Sequence, residues 1–143
     1  MFLLDSDIFS NYRRQRLSRT ALVERVEEAQ QSNLVRLSVF TVQEVLFGAT
    51  NAVNTARSRK NVDRTVEALH FLELARVELN AFQVLVLDGP TIEALRHLTD
   101  NFKRPAKTDT WIAAQALAHN LTVVTRNTRD FIGVQGLSVI DWS

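Results

Sequence analysis

The sequence contains no cysteine. This absence excludes a disulfide framework, a zinc site built from thiolates and a cysteine nucleophile. Any metal ion must therefore be bound by oxygen atoms or by imidazole nitrogen. A chain without cysteine also fits a reducing compartment, and we expect a cytoplasmic protein.

Long apolar segments are missing as well. No stretch approaches the roughly eighteen apolar residues that a membrane-spanning helix needs, and the N-terminal segment MFLLDSD reaches acidic residues without a preceding basic region. We therefore expect neither membrane insertion nor export. The 143 residues, of which 45% are hydrophobic and 23% charged, match ordinary globular usage. Such a length predicts a single domain over residues 1–143.

The net charge is close to zero, at +1, but the basic residues are clustered. Taken one at a time, such clusters are typical of solvated helix ends and loops. If several of them met in space, they would form a surface suited to phosphate. The clusters are Arg13, Arg14, Arg16 and Arg19; Arg57, Arg59, Lys60 and Arg64; Lys103, Arg104 and Lys107; and Arg126 with Arg129.

Short apolar runs alternate with segments of helical periodicity. The runs predict strands at 2–4, 34–39, 84–87, 122–124 and 137–140, with helices between them, one of which begins at Thr41. Residues 53–80 include neither glycine nor proline and predict a long helix or a helical hairpin. A helix is expected over 91–101 and a loop over 102–107. The alternation predicts an α/β fold, a three-layer α/β/α sandwich with a central, mostly parallel sheet.

Acidic residues follow the predicted strands, at the edge of a parallel sheet where function collects. Clustered carboxylates repel one another and raise one another's pKa unless a cation compensates, and Mg²⁺ and Mn²⁺ prefer oxygen ligands. A bound divalent ion lowers the pKa of water and neutralises charge on a phosphodiester, so the pattern predicts metal-assisted hydrolysis. The residues concerned are Asp5, Asp7, Glu44, Asp109, Asn127 and Asp130.

Each of these acids also has a purely structural interpretation. Thr41 and Glu44 match a capping box, in which the glutamate reaches back to the N-terminus of its own helix. Asp109 would stabilise the first turn of a helix, Asp7 would cap a short helix, and Asp130 would be a turn residue. The residues alone leave these alternatives open.

Three segments together are similar to one known family. FLLDSDIFS, SVFTVQEVLFGA and TDTWIAAQALAHNLTVVTRNTRDF resemble the PIN-domain family, in particular its toxin branch of VapC and FitB-like ribonucleases. The resemblance implies a PIN fold, Mg²⁺ or Mn²⁺ as the cofactor, and endonucleolytic cleavage of RNA. It also implies that the metal is held, and the reaction catalysed, by Asp5, Glu44, Asp109 and Asp130.

Other positions extend the family pattern or depart from it. Asp7 stands where the family usually has asparagine, and it either tightens metal binding or replaces the hydrogen bonds of the asparagine. Asn127 lies close to the fourth acidic position and is expected to assist Asp130. Thr125 resembles the hydroxyl that orients these groups, although a buried strand end is the alternative. The arginines expected to hold the RNA backbone are Arg104 and Arg126.

The resemblance implies partners too. These are an RNA substrate, with transfer RNA or another structured RNA expected, and a VapB-like antitoxin of a type II toxin–antitoxin module that blocks the acidic groove. RNA cleavage would inhibit translation and growth. A homodimer is the usual assembly, and the apolar face of residues 62–74 either contacts a second copy or is buried in its own core.

Two other functions share parts of the pattern. Asp5 and Asp7 after an apolar strand are also typical of haloacid-dehalogenase-type phosphotransferases, but those enzymes need a lysine beyond the position of Thr125, and none follows it. The remaining alternative is a catalytically silent PIN-fold module that binds RNA or protein. The full carboxylate set argues against it, because acids repel phosphate.

Overall fold

The computed structural model describes residues 1–101 and 107–143. Within these ranges, five strands form one sheet in the order β3-β2-β1-β4-β5, and every neighbouring pair is parallel. The predicted sheet is therefore present, and it is parallel throughout these residues. The strands are β1 Phe2–Leu4, β2 Val35–Ser38, β3 Gln83–Leu85, β4 Thr122–Val124 and β5 Ser138–Ile140.

Six α-helices of the described ranges flank the sheet, which confirms the predicted α/β/α architecture. No helix among the described residues combines the length and the apolar character needed to cross a membrane. A π-helical turn at His97–Asn101 and a 3₁₀ turn at Thr128–Phe131 complete the helical structure. The α-helices are α1 Ser6–Gln15, α2 Ala21–Gln31, α3 Val39–Ser58, α4 Val62–Asn80, α5 Gly89–Arg96 and α6 Thr108–Ala118.

The central strand β1 separates two hydrophobic cores. Leu4 packs with residues of α1 to α4 on one face of the sheet, and Leu3 packs with residues of α5 and α6 on the other. Both leucines are fully buried. A strand covered on both faces must be apolar at successive positions, which explains why the short run Phe2–Leu4 lacks the alternation of a half-exposed strand.

Helices α3 and α4 form the predicted hairpin, and Lys60 turns the chain between them in a left-handed conformation. Val45, Ala49 and Val53 of α3 are buried, as is Ala75 of α4. The opposite side of α4 is exposed, so burial of the whole 62–74 segment in its own core is wrong. We call this side the outer face of α4; it includes Val62, Val66 and Leu69, which are 73%, 47% and 48% exposed.

The starts of α3 and α5 differ from those predicted, because capping residues lie further upstream. Ser38 caps α3 by accepting a hydrogen bond from the Phe40 backbone N–H at 3.0 Å, so the helix begins at Val39 rather than Thr41. Asp88 caps α5 in the same way and Pro90 occupies its first turn, so the helix begins at Gly89. The loop predicted for 102–107 lies largely outside the described residues.

One basic residue that sequence patterns assigned to a solvated cluster is buried instead. The Arg13 guanidinium of α1 donates to the Glu78 carboxylate of α4, and the two side chains are 9% and 5% exposed. The same guanidinium lies over the ring of Phe71, 4.9 Å from its centre. Arg13 therefore joins two helices and is not part of a phosphate-binding surface.

Candidate active site

The predicted acidic residues line one cavity at the carboxyl edge of the sheet. Asp5 follows β1 directly, the helix that carries Glu44 follows β2, and Thr125 follows β4. Because parallel strands end at the same edge, these segments meet there. The cavity has a volume of about 480 Å³ and is lined by Asp5, Ser6, Asp7, Glu44, Asp109, Arg126, Asn127 and Asp130.

Three helices contribute residues near their N-termini to this cavity. Ser6 and Asp7 lie in the first turn of α1, Asp109 lies in the first turn of α6, and Glu44 lies in the second turn of α3. The N-terminal end of a helix carries partial positive charge from its aligned peptide dipoles. These helix ends offset part of the repulsion between the carboxylates.

Asp5 is the most buried of the carboxylates, with 5% of its surface exposed. Its Oδ1 accepts the backbone N–H of Ile8 at 2.7 Å and so caps α1. The structural interpretation that gave this cap to Asp7 is therefore wrong. Burial raises the pKa of Asp5 from 3.8 to about 6, against the lowering effect of hydrogen bonds from Thr125 and Ile8. The negative charges of Asp7 and Asp109 also raise it.

Thr125 links the end of β4 to two residues that line the cavity. It is fully buried, and its side chain forms a hydrogen bond with the Asp5 carboxylate. The same hydroxyl oxygen accepts the backbone N–H of Asn127 at 3.0 Å. Since a hydroxyl has one donor and two acceptor sites, it satisfies both partners at once. Thr125 is both a buried strand end and a residue that orients Asp5.

The capping-box interpretation of Glu44 is wrong. It requires Thr41 to be the residue before the helix, but Thr41 lies within α3 and is fully buried. Its hydroxyl is directed instead towards the Leu4 carbonyl, at 3.5 Å, and the Ser6 hydroxyl, at 3.4 Å. Glu44 is half-buried and lines the cavity.

Asp109 and Asp130 reach the cavity from two other elements. Asp109 lies in the first turn of α6, where its negative charge interacts favourably with the helix dipole, and it also lines the cavity. Asp130 is exposed on the 3₁₀ turn that follows β4, and the turn is anchored by the buried ring of Phe131. The Asn127 side-chain amide donates to the Asp130 carboxylate. Asn127 thus orients the Asp130 carboxylate, and both residues line the cavity.

Sequence patterns did not reveal the partner of Asp7. The Arg126 guanidinium donates to the Asp7 carboxylate from Nε at 2.9 Å and from Nη2 at 3.2 Å. No local signal connects these residues, which are 119 positions apart. Ser6 was also missed as a lining residue, although it stands between two acids of the motif. The other arginine expected to bind RNA, Arg104, lies outside the described residues.

The donor chemistry of the cavity matches a hard divalent cation. Its possible ligands are carboxylate, hydroxyl and amide oxygens, which Mg²⁺ and Mn²⁺ prefer. In the part of the chain that is described, however, no three acidic or histidine side chains are close enough to surround an ion where they now stand. The carboxylates instead line the walls of the cavity. They fit such an ion in number and type, and rotation of the side chains inwards would be needed to bind it.

A larger cavity of about 900 Å³ lies between the distal ends of α3 and α4. Glu67 is the one acidic residue among those that line it. The remaining lining is mainly small or basic side chains. We base the functional interpretation on the smaller cavity, because five carboxylates line it.

The structure is similar to solved proteins over almost the entire chain. FitAcB from Neisseria gonorrhoeae is 26% identical with a TM-score of 0.68, and 98% of this chain and 96% of that one are covered. DNA-bound VapBC from Salmonella typhimurium is 22% identical with a TM-score of 0.70, covering 99% and 98%. A toxin–antitoxin complex from Klebsiella pneumoniae is 24% identical with a TM-score of 0.64, covering 98% and 96%.

No protein of curated function is significantly similar in sequence. The sequence model of the PIN domain, however, matches residues 2–137. This range includes strands β1 to β4 and every described residue that lines the acidic cavity, and it ends just before β5. The sequence match and the fold agree, and the chain belongs to the PIN-domain family.

Proposed function

We propose that this protein is a metal-dependent endoribonuclease and the toxin of a type II toxin–antitoxin module. The observation that carries the proposal is the cavity into which five carboxylates project at the carboxyl edge of the sheet. PIN domains are in general nucleases, so membership of the family supports hydrolysis of a phosphodiester. The reaction class follows from the oxygen-rich site, and RNA as the substrate follows from the resemblance to the VapC and FitB-like branch.

In this proposal Asp5, Glu44, Asp109 and Asp130 hold Mg²⁺ or Mn²⁺. Such an ion, when bound, lowers the pKa of water and neutralises charge on the phosphodiester. Thr125 keeps the Asp5 carboxylate in one orientation through its hydrogen bond. Asn127 does the same for Asp130.

Arg126 supplies the positive charge that the substrate backbone needs. Its guanidinium lines the cavity and is half exposed, so a phosphate oxygen can reach it. Hydrogen bonds between arginine and phosphate are charge-assisted and directional. Arg126 therefore holds the RNA backbone beside the carboxylates, while surface shape selects a structured RNA such as transfer RNA. Cleavage of that RNA in the cytoplasm would inhibit translation and growth.

Two protein partners belong to the proposal. A VapB-like antitoxin would cover the acidic cavity, and support comes from the toxin–antitoxin complex of Klebsiella pneumoniae among the similar structures. We also propose a homodimer. The outer face of α4 supports this assembly, because three apolar side chains on one helix are left in water in the single chain.

The test is cleavage of total bacterial RNA by the purified chain, free of antitoxin, in EDTA, Mg²⁺ or Mn²⁺. We expect discrete fragments with metal from wild type, and their loss in Asp5→Asn, because a ligand and its charge are removed. The matched control is Asp63→Asn, which removes an exposed aspartate of α4 outside the cavity and should cleave like wild type.

Sequencing the fragments would identify the target. If wild type cleaves nothing with any metal, or if Asp5→Asn cleaves equally well, the ribonuclease proposal is wrong. A folded, inactive protein that still retained RNA would favour the catalytically silent binding module.

A further inference from the structure

The Asp7 side chain is bound on both of its oxygens by protein groups. Oδ2 accepts from Arg126 Nε at 2.9 Å and Oδ1 accepts from Arg126 Nη2 at 3.2 Å. This is the two-point contact that a planar guanidinium makes with a carboxylate, and it defines an orientation as well as a distance. Oδ1 also accepts a longer hydrogen bond, of 3.5 Å, from Asn11 Nδ2.

Asn11 lies one helical turn beyond Asp7 on α1, and only 7% of its surface is exposed. Its Nδ2 donates to Asp7, and its Oδ1 accepts from Arg14 Nη2 at 2.6 Å. Because both ends of the amide are bonded, Asn11 has a defined orientation behind Asp7. The arrangement is a chain of contacts from Arg14 through Asn11 and Asp7 to Arg126, and it ends at the acidic cavity.

The contact with Asp7 leaves part of the Arg126 guanidinium for another acceptor. Of its five N–H groups, the pair uses the one on Nε and one on Nη2, and the two on Nη1 lie outside it. The Arg126 side chain is 51% exposed and borders the cavity. Its remaining donors are therefore accessible to an anionic group of a substrate that enters.

Charge explains why this arginine needs a carboxylate of its own. Among the residues that the structure describes, the cavity is lined by five carboxylates and one guanidinium. Without Asp7 as a partner, the Arg126 guanidinium would be attracted to the other carboxylates of the cavity, where it would compete with a metal ion for them. The pairing with Asp7 neutralises one acid and holds the guanidinium at the rim. The other carboxylates that line the cavity are the four acids that the family resemblance assigns to the metal: Asp5, Glu44, Asp109 and Asp130.

We propose that Asp7 is a positioning residue and not a ligand of the metal ion. Supported by Asn11, it holds Arg126 so that the outer edge of the guanidinium binds the phosphate that is cleaved. The inference rests on the proposed ribonuclease function. The positioning role also explains why residue 7 departs from the family pattern, because the asparagine usual in the family could not form the charged two-point contact.

Metal affinity separates a positioning residue from a ligand. Mn²⁺ binding is measured by electron paramagnetic resonance without RNA, in wild type, Asp109→Asn and the double variant Asp7→Asn/Arg126→Gln. The double variant removes one charge of each sign, so its net charge is that of wild type. We expect it to bind Mn²⁺ within about twofold of wild type, and Asp109→Asn to bind at least about tenfold more weakly. A loss of about tenfold in the double variant would show that Asp7 is a ligand and overturn the inference.

Kinetics then test whether Asp7 acts through Arg126. With a short RNA that contains the mapped cleavage site, we expect Arg126→Gln and Asp7→Asn each to lower kcat about tenfold with a smaller change in KM, because the contact serves the reacting phosphate. The double variant should be no slower than Arg126→Gln. Losses that multiply would show independent action and overturn the inference. Arg129→Gln removes a nearby exposed positive charge outside the cavity and should change kcat less than about twofold.

The two proposals fail in different ways. If wild type neither binds Mn²⁺ nor cleaves RNA with metal, the ribonuclease function is wrong and this inference is wrong with it. If wild type does both and the double variant loses Mn²⁺, only the role of Asp7 is wrong.

Discussion

Asp5 shows at the residue scale what an acidic site costs the folded chain. Its carboxylate is nearly buried, caps α1 and faces other acids, and burial raises its pKa to about 6. At neutral pH it is mostly ionised and therefore suited to bind a cation. The same ionisation is unfavourable when no cation is present, since the charge is removed from water. Function and stability of the metal-free protein oppose each other at this residue.

The pKa of Asp5 predicts a pH-dependent effect of Asp5→Asn on stability. The folded-state pKa exceeds the ordinary 3.8, so the favourable contribution of the protonated carboxyl is complete below pH 3.8 and is lost as pH rises through 6. In EDTA the variant should gain stability relative to wild type over this range, by at most about 3 kcal/mol above pH 7. Asparagine retains the capping acceptor.

Urea unfolding of the two proteins at pH 4.5 and pH 7.5 measures this difference. A difference in the free energy of unfolding that is the same at both pH values would show that ionisation of Asp5 has no such cost.

At the scale of elements, a single buried ion pair connects the helix that begins at the site to the hairpin. Glu78 of α4 receives a hydrogen bond from Arg13 of α1, and Arg16 lies 3.8 Å from its other oxygen. A buried pair of this kind contributes little net stability compared with an apolar pair, but removing one partner leaves an uncompensated charge. The orientation of α1 against α4 therefore depends on Glu78.

Glu78→Gln should destabilise the protein by about 3 kcal/mol, because it leaves the Arg13 guanidinium buried without its counter-charge. Glu73→Gln is the matched control on the same helix. Glu73 also pairs with an arginine, Arg76 at 2.8 Å, but this pair is exposed to solvent. The control should therefore unfold like wild type. Equal midpoints of thermal unfolding for the two variants would contradict the role of the buried pair.

At the scale of the whole molecule, the fold leaves the outer face of α4 uncovered as an apolar surface on the hairpin. Its side chains are held apart from the core, because α4 turns Ala75 and Leu79 towards the body. Exposed apolar residues grouped on one helix are typical of surfaces that bind protein. In our proposal this surface is covered by a second copy of the chain.

Leu69→Asp should convert the dimer to a monomer, because it places a charge in the apolar contact. Light scattering coupled to size-exclusion chromatography measures the mass of each species. Ile132→Asp is the control, since it changes another exposed apolar residue, which is 70% exposed and lies far from Leu69 in the chain. If Leu69→Asp still has twice the mass of one chain, the dimer contact lies elsewhere. If wild type itself is a monomer, the homodimer proposal is wrong.

Local signals were sufficient for most of the elements. The apolar run at β1, the hairpin of α3 and α4, and the β4 strand were predicted from apolar runs, helical periodicity and the absence of glycine and proline. Errors lay at the boundaries of elements, as at α3, where Ser38 caps the helix and residue 39, predicted to end the strand, is already helical. Both Ser38 and Thr41 are residues that cap helices, so the choice between them depends on which hydroxyl has a tertiary partner.

The candidate site also has some features that the sequence predicts and others that depend on tertiary packing. The sequence by itself determined which residue types are present, their order after the strands and the family to which they belong, because these are local properties. Only the tertiary structure decided that Arg126 pairs with Asp7, that Arg13 is buried against Glu78, and that Thr41 is inside its helix. Such contacts join residues 119 or 65 positions apart. They depend on how β1 is placed beside β4 and how α1 packs on α4, and no local pattern in the chain encodes that packing.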